Sequence, residues 1–396
     1  MPERRVMDLL PYTRHSIDDA DAAAVAEALR SAWLTGGPLI ERFERAVAAR
    51  TGARHGVAVS SGTAALHAAV AALGIGPEDE VIVPAITFAS TATVVLLQGA
   101  RPVFADVDPK TLLIDPASVA ARATPRTKAV IAVDYAGQPC DYARLRAVTA
   151  ERGIRLLADG CHALGASDAA RPVGTLADAT AFSFHPAKHI TTGEGGMLVT
   201  DDEALAARAR RFRNHGIDAD PHRRLAARTW VYEIAEPGLN YRISDFQCAL
   251  GLSQLAKLQA SLARRRAVAA AYDRACGTLE GIAPLEVRPG VEHAYHLYVV
   301  RLDRDRLGLD RAEAFRRLHE EGIGVNVHYI PVHLQPLYRT RLGTGPGLCP
   351  AAEAAYERIV SLPMFPGMTD GDIRRVVSAL ERLAPRPAPS GRSRDA

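Results

Sequence analysis

The stretch FSFHPAKHITTGEGGMLVT, residues 182–200, holds two apolar runs on either side of a polar, glycine-rich segment that carries Lys188. The runs 179–184 and 196–200 have the length and composition of buried strands. Glycine has no side chain, so the segment between them lets backbone approach a ligand closely. The stretch therefore predicts two closing strands of a sheet with a lysine held between them.

Upstream of this stretch, short apolar runs alternate with alanine-rich helical segments. The predicted strands are residues 56–59, 80–84, 102–104, 129–133 and 154–157, and the predicted helices are residues 63–73, 89–98, 116–123 and 141–151. Such alternation is typical of a mostly parallel sheet with helices on both faces. The predicted fold class is α/β, with a mostly parallel mixed sheet flanked by helices.

The second half of the chain begins with one long helical pattern over residues 244–276. Predicted strands at 295–302 and 324–329 follow, with helices at 311–321, 351–359 and 370–383. This order predicts a smaller C-terminal α+β domain. We place a large domain at residues 1–255 with an N-terminal segment 1–15, a small domain at 256–385, and a disordered tail at 386–396.

Composition narrows the class of protein. The chain has 396 residues, 48% of them hydrophobic, and a net charge of +3, so nucleic acid is not an expected partner. It has no apolar run of the roughly 20 residues that a membrane span needs, and no signal-peptide pattern. Its five cysteines include no C-x-x-C pair, which favours a reducing compartment. We expect a cytoplasmic enzyme.

Lysine is scarce in this chain, where arginine supplies almost all positive charge. Only Lys110, Lys128, Lys188 and Lys257 are present. An amine can lose its proton and form an imine, which a guanidinium cannot do. Three of the lysines suit an ordinary surface role. Lys188, among aromatic residues, histidines and glycines, is the candidate for amine chemistry.

A second motif is the turn Ser60-Ser61-Gly62-Thr63-Ala64 between a predicted strand and a helix. The first N–H groups of a helix and its dipole favour a phosphate at such a turn. An ordinary capped helix start explains the same letters.

Asp159 comes directly after the apolar run 154–158, where residues of an open α/β sheet face the ligand crevice. An acid there can bind a ribose, a metal or a protonated ring nitrogen, or it can simply cap the next turn. His185 and His189 are four residues apart, but Pro186 between them argues against a helical metal site. We therefore expect no metal.

Together these motifs suit pyridoxal phosphate, which needs an amine, an acid for its ring nitrogen and donors for its phosphate. Lys188, Asp159 and the turn Ser61 to Thr63 supply these groups in that order. Phe88 follows another predicted strand and can stack on the ring, although a core position explains it equally well.

With these motifs in place, the chain resembles the DegT/DnrJ/EryC1/StrS sugar-nucleotide aminotransferases over nearly its whole length. The resemblance rests on SSGTAALHAA, VIVPAITFASTA, ADGCHALGAS, FSFHPAKHITTGEGGMLVT and GLNYRISDFQCALGLSQL. It implies the fold-type I of pyridoxal-phosphate enzymes, an amino-acid donor such as glutamate, a sugar-nucleotide acceptor, and a homodimer with shared active sites.

The resemblance also implies roles for individual residues. Lys188 matches the lysine that binds the cofactor aldehyde, Asp159 the acid at the ring nitrogen, and His162 the contact to the ring hydroxyl. Further matches for the cofactor are Gly62 and Thr63 beside Ser61, Ser183, the stacking Phe88, and Asn240 reaching the partner's phosphate. The implied sugar-nucleotide contacts are Tyr12, Trp33, Leu34, Thr35, His328 and Tyr329.

Within the family, the wording VDYAGQP, VNVHYIPVHLQPLYR and SLPMFP is most similar to the transaminases of pseudaminic acid biosynthesis. This similarity implies formation of UDP-4-amino-4,6-dideoxy-N-acetyl-β-L-altrosamine. Alternatives are amination toward GDP-perosamine or UDP-4-amino-4-deoxy-arabinose, and a non-catalytic pyridoxal-phosphate-binding regulator. A nicotinamide oxidoreductase is disfavoured because no G-x-G-x-x-G follows the first strand.

Overall fold

The computed structural model describes residues 9–218 and 228–384. Its centre is a seven-stranded sheet with the spatial order β1-β9-β8-β5-β4-β2-β3. Neighbouring strands are parallel except around β9, which runs antiparallel to both β1 and β8. The strands are β1 His55–Val59, β2 Glu80–Pro84, β3 Arg101–Ala105, β4 Thr127–Val133, β5 Arg155–Asp159, β8 Ala179–Ser183 and β9 Gly196–Thr200. The short strands β6 Ser167–Asp168 and β7 Arg171–Pro172 lie outside this sheet.

Helices lie between and around these strands, and their ends carry the expected caps. Asp18 and Asp21 form a capping box at α1, and Ser61 caps α3 through the N–H of Ala64. The helices of this half are α1 Asp19–Arg30, α2 Pro38–Thr51, α3 Gly62–Ala72, α4 Ala89–Leu97, α5 Pro116–Arg122, α6 Tyr142–Ala150 and α7 Glu203–Phe212. The mixed, mostly parallel sheet flanked by helices confirms the predicted fold class.

The sheet brings the ends of several strands to one edge. Val133 at the end of β4 is in register with Asp159 at the end of β5, and Ser183 ends β8 opposite Gly196. Gly196 also pairs with Val59, the last residue of β1. The carboxyl ends of parallel strands form the usual ligand crevice of an open sheet. The residues that follow these strands therefore share that crevice.

The C-terminal half forms a second hydrophobic cluster around a small antiparallel sheet, β10-β12-β13. Its elements are α8 Asp245–Ala256, α9 Leu258–Cys276, β10 Ile282–Pro284, β11 Val291–Glu292, β12 Tyr298–Leu302, α10 Arg304–Leu307, α11 Arg311–Glu320, α12 Pro336–Leu342, α13 Pro350–Tyr356, β13 Ile359–Leu362 and α14 Asp370–Leu383. The domain boundary at residues 255–256 stays a prediction, and the tail 386–396 lies outside the described residues.

Three predicted elements need correction. The helical pattern 244–276 forms two helices that meet at Lys257, whose N–H donates to the carbonyl of Gln254 three residues back at 3.0 Å, which ends the first helix. The strand predicted at 295–302 begins at Tyr298, since Tyr295 has φ +47°. Residues 324–329 form no strand. Their backbone makes only single bridges, such as Asn326 with Ser361, while the N–H of Gly324 donates to the carbonyl of Leu10 at 2.8 Å.

In the part of the chain that the structure describes, no helix combines the length and the apolar character needed to cross a membrane.

Candidate active site

Asp159 is a buried carboxylate, 5% exposed, at the crevice end of β5. Its Oδ2 accepts a hydrogen bond from Thr91 Oγ1 at 2.7 Å, and its Oδ1 accepts one from the N–H of Cys161 at 3.2 Å. Thr91 in turn shares a 2.7 Å hydroxyl contact with Thr87. These bonds fix the orientation of the acid from the first turn of α4.

The N-terminus of α3 faces the same edge and is packed tightly against its neighbours. A Cβ added to Gly62 would lie 2.8 Å from Cβ of Ser183 and 2.9 Å from Sγ of Cys161. One added to Gly196 would lie 2.3 Å from the carbonyl oxygen of Ser61. The first N–H groups of a helix have no partner within it, so Gly62 and Thr63 present donors suited to an anion.

Lys188 lies on the loop between β8 and β9. The loop is closed on itself: the N–H of Phe184 donates to the carbonyl of Gly195 at 2.8 Å, and the N–H of Thr192 donates to the carbonyl of Phe184 at 3.0 Å. The Nζ of Lys188 lies 3.3 Å from Nε2 of His296. Burial lowers the pKa of the Lys188 amine, while Cys161 and Asp159 oppose that shift. A lowered pKa makes the free amine more available as a base.

His162 stands one turn after Asp159 and is 4% exposed. Its Nε2 lies 3.2 Å from the hydroxyl of Tyr329, and its ring centroid lies 4.3 Å from that of His296. Its Nδ1 is buried with no hydrogen-bond partner among residues 9–218 and 228–384. Burial, followed by the charge of Lys188, lowers the pKa of His162 well below its usual value. The imidazole is therefore neutral at pH 7.

A group of aromatic side chains forms the outer wall. His328 contacts Ser361 Oγ through Nδ1 at 2.8 Å, and burial lowers its pKa to about 4. The Tyr12 ring lies 5.7 Å from that of His328. The Phe88 ring lies 6.0 Å from that of Tyr329 and is 58% exposed. Phe88 is therefore a surface aromatic and not a core residue, with a face free to stack on a planar ligand.

The sequence profile of the DegT/DnrJ/EryC1/StrS aminotransferase family matches residues 15–381. The chain belongs to this family. Spore coat polysaccharide biosynthesis protein SpsC of Bacillus subtilis is 43% identical over 376 residues, covering 94% of this chain and 97% of that protein.

Two solved structures of aminotransferases share the fold of this chain. The pyridoxal phosphate form of Spr1654 from Streptococcus pneumoniae superimposes with a TM-score of 0.87 at 30% identity, covering 95% of this chain and 100% of that one. PseC of Helicobacter pylori, an aminotransferase involved in the biosynthesis of pseudoaminic acid, gives 0.88 at 30% identity, with 95% and 99% covered. Aminotransferase activity and pyridoxal phosphate as cofactor are confirmed.

The residues of this family member fit the cofactor. The crevice offers an amine, a buried acid held by two hydrogen bonds, and helix N–H groups packed against a serine. Two buried histidine atoms of this cluster, Nδ1 of His162 and Nδ1 of His296, have no partner within the described residues. Such atoms are costly unless a ligand or water meets them.

Four residues that the resemblance assigned to ligands lie apart from this cluster and exposed. Trp33 and Leu34 are 40% and 51% exposed, and Thr35 bridges Ser244 at the start of α8. Asn240 is exposed beside Tyr241, whose carbonyl accepts from the N–H of Ser60 at 2.9 Å. Asn240 is therefore close in the chain to a residue that contacts the turn at Ser60, and it is exposed to solvent. The assigned roles of all four residues stay predictions.

The residues flanking Lys188 differ in their surroundings. His185 is exposed, and its Nδ1 accepts from the N–H of Ala187 at 3.2 Å. His189 is buried, with Nε2 3.1 Å from the carbonyl of Ala294. The carbonyl of Glu194 accepts from Gln247 Nε2 at 2.6 Å. His185 therefore lies at the surface, whereas His189 and Glu194 connect the loop to the C-terminal half.

Sequence reasoning missed Thr91, Tyr135 and His296. Thr91 supports Asp159, and the hydroxyl of Tyr135 donates to the carbonyl of His328. His296 contacts Lys188 although more than a hundred residues separate them in the sequence. The only sequence signal for it is the polar pair Tyr295-His296 ahead of an apolar strand.

Proposed function

We propose that this enzyme transfers an amino group from glutamate to the 4-keto carbon of a nucleotide-linked 4-keto-6-deoxy sugar, with Lys188 as the reactive amine. The observation that carries the proposal is the position of Nζ of Lys188. It lies in a crevice that lowers its pKa, beside neutral histidines and the buried acid Asp159. The profile match over residues 15–381 supports amino transfer as the reaction.

When bound, pyridoxal phosphate supplies an aldehyde for the amine and a ring that accepts electrons. Asp159, held by Thr91 and the N–H of Cys161, keeps the proton on the ring nitrogen. His162 orients the ring through its hydroxyl. Ser61, Gly62, Thr63 and Ser183 hold the phosphate at the start of α3, where helix N–H groups favour an anion.

Lys188 has two tasks. Its amine would hold the cofactor through the aldehyde, and as a free base its Nζ would accept the proton from the donor's α-carbon. A neutral amine is required for the second task, and burial favours the neutral form. The loop closure between Phe184 and Gly195 holds Nζ in place for both tasks.

The sugar side of the crevice is assigned to Tyr12, His328, Tyr329 and the segment Trp33 to Thr35. The ring contacts of Tyr12 with His328 and of Phe88 with Tyr329 support one continuous wall. Within the class of acceptors, we propose the UDP-linked precursor of 4-amino-4,6-dideoxy-N-acetyl-β-L-altrosamine. The similarity to PseC, an aminotransferase involved in the biosynthesis of pseudoaminic acid, supports this choice.

We further propose a homodimer in which Asn240 reaches the cofactor phosphate of the partner. An exposed apolar segment supports this arrangement: Trp230, Val231 and Ile234 are 85%, 61% and 67% exposed. Side chains of this size and exposure in one segment are typical of an interaction surface.

Lys188→Ala tests the role of the amine. The yellow colour of the covalently bound cofactor should be lost, and turnover should fall by at least about a thousandfold, because nucleophilic and general-base roles are removed together. Lys188→Arg should behave alike, since a guanidinium stays protonated. The exposed Lys128→Ala is the matched control and should keep both properties. Absorbance spectra and amino transfer from glutamate give the readout, and a Lys188→Ala enzyme with the native spectrum contradicts the proposal.

The acceptor is tested separately. The purified enzyme is incubated with glutamate and a panel of UDP-, GDP- and dTDP-linked 4-keto sugars, and products are identified by mass and NMR. Selective amination of the UDP-linked 4-keto-6-deoxy N-acetyl sugar supports the proposal. Preference for the GDP-linked or pentose substrate replaces it by the corresponding alternative.

A further inference from the structure

His296 lies on the connection between β11 and β12 and is 7% exposed. It is not among the residues assigned to the cofactor or the sugar. Its Nε2 is 3.3 Å from Nζ of Lys188. Its ring centroid lies 4.3 Å from that of His162 and 5.8 Å from that of His189. His296 is therefore the side chain in hydrogen-bond contact with the reactive amine.

The backbone of His296 is held from both sides. Nη1 of Arg265, on α9, donates to the carbonyls of Tyr295 at 3.1 Å, His296 at 3.4 Å and Met364 at 3.1 Å. The N–H groups of Ala294 and Leu297 donate to the carbonyls of Gly137 and Ala136. Tyr295 adopts φ +47°, a conformation rare for a bulky residue. The surroundings thus fix a bent connection whose effect is to aim His296 at Lys188.

Arg265 is a buried cation, 1% exposed, and no carboxylate within the described residues pairs with it. Its Nη1 donates to the three carbonyls, while its Nε is buried with no hydrogen-bond partner within the described residues. Burial lowers the pKa of Lys188, His189 and His296, and the charge of Arg265 adds to each of these shifts. Burying a cation without a carboxylate partner costs stability. Its position near Lys188 disfavours protonation of the amine, which suits an amine that acts as a base.

Burial, followed by the charge of Lys188, lowers the pKa of His296 well below its usual value, so its ring is neutral. A neutral imidazole can accept a hydrogen bond from an ammonium or donate one to an amine. The titratable groups around this contact are His162, His189 and His328, with Asp159, Cys161 and Arg265. Nε2 of His296 lies within hydrogen-bond distance of Nζ of Lys188.

We propose that His296 is a positioning residue for Lys188, whose Nε2 hydrogen-bonds the amine after it has been released from the cofactor and holds it toward the reacting carbon. The inference rests on the proposed role of Lys188. Lysine has four rotatable side-chain bonds, so a released amine loses its alignment unless a neighbour holds it. His296 supplies that neighbour without adding a charge.

The first test measures the amine itself. In the pyridoxamine phosphate form of the enzyme the Lys188 amine is free, so its pKa can be followed by the pH dependence of acylation by a small reagent, located by peptide mass. His296→Phe keeps the ring and removes the nitrogens. It should lower the pKa of Lys188 by about one pH unit, because the acceptor for the ammonium is lost. His296→Gln, which keeps an acceptor at the same distance, should restore the native value.

The second test follows proton transfer. Single turnover with glutamate should slow by about a hundredfold in His296→Phe, the loss expected when a reacting group is misplaced by an ångström. The isotope effect with α-deuterated glutamate should rise at the same time, while His296→Gln should stay within a few-fold of the native rate. His189→Gln is the matched control, since this buried histidine bonds the carbonyl of Ala294 and not the amine. It should leave the pKa of Lys188 unchanged.

The outcomes separate the two hypotheses. A native pKa of Lys188 and a native rate in His296→Phe overturn the inference, as does equal impairment of the Phe and Gln variants. A Phe variant that does not bind cofactor with the native spectrum also overturns it, because a positioning residue is dispensable for binding. If Lys188→Ala retains the native spectrum, the proposed function itself fails, whatever the His296 variants do.

Discussion

Asp134 is the acidic side chain directly behind Asp159. It is fully buried at the end of β4, where its Oδ1 accepts from the N–H of Cys140 at 2.9 Å and from the Tyr142 hydroxyl at 2.8 Å. Its Oδ2 has no partner within residues 9–218 and 228–384. Burial, opposed by these hydrogen bonds and reinforced by Asp159, raises the pKa of Asp134 to about 7. Behind the acid assigned to the cofactor there is thus a second acid, which stays protonated below about pH 7.

This shift predicts a pH-dependent stability. Between pH 4 and 7 the unfolded chain has lost the Asp134 proton and the folded chain keeps it, so the free energy of unfolding falls as pH rises, by at most about 1.4 kcal/mol per unit. Asp134→Asn keeps the acceptor oxygen and lacks the titration. Its melting temperature relative to the native protein should therefore increase between pH 5 and 7.5. Scanning calorimetry of both proteins checks this, and a difference that does not change with pH refutes it.

At the scale of elements, the start of α3 forms the turn that we propose binds the cofactor phosphate. Gly62→Ala forces a Cβ to within 2.8 Å of Ser183 and 2.9 Å of Cys161, so the helix must shift away from the crevice. Gly76→Ala is the control, since a Cβ there meets nothing within 4 Å. We expect cofactor affinity to fall by about tenfold or more in Gly62→Ala, as overpacking costs roughly 1–3 kcal/mol. Equilibrium dialysis measures it, and equal affinities in both variants would exclude a tight turn.

Sequence patterns predicted the elements of the large sheet well, because each strand is a continuous buried run bounded by turns. They failed where tertiary contacts decide the backbone. Residues 324–329 alternate like a strand, yet their partners are Leu10 and Ser361, from opposite ends of the chain. The same holds for the residues of the crevice. Lys188 and Asp159 come after strands in the sequence and can be proposed from it, whereas His296 comes close to the amine only in the folded chain.

At the scale of the whole molecule, the proposed sharing of the site between two subunits can be examined by a complementation test. Lys188→Ala and Asn240→Ala chains, mixed under conditions of subunit exchange, should regain about a quarter of native activity, since half of the dimers contain one intact site. Lys188→Ala mixed with Asp159→Asn is the control and should regain none, because both residues serve the site of their own chain. Activity that never exceeds the sum of the parents would show that Asn240 does not act across an interface.

The closed loop between β8 and β9 has a consequence for how this enzyme can change over evolution. Ser183 pairs with Gly196, and the N–H of Phe184 donates to the carbonyl of Gly195, so the chain enters and leaves the loop at one point of the sheet. A substitution at position 188 leaves these anchors in place, because none of them involves the lysine side chain. The buried Ile190 and His189, by contrast, pack the loop against the rest of the chain, so we expect them to tolerate few replacements.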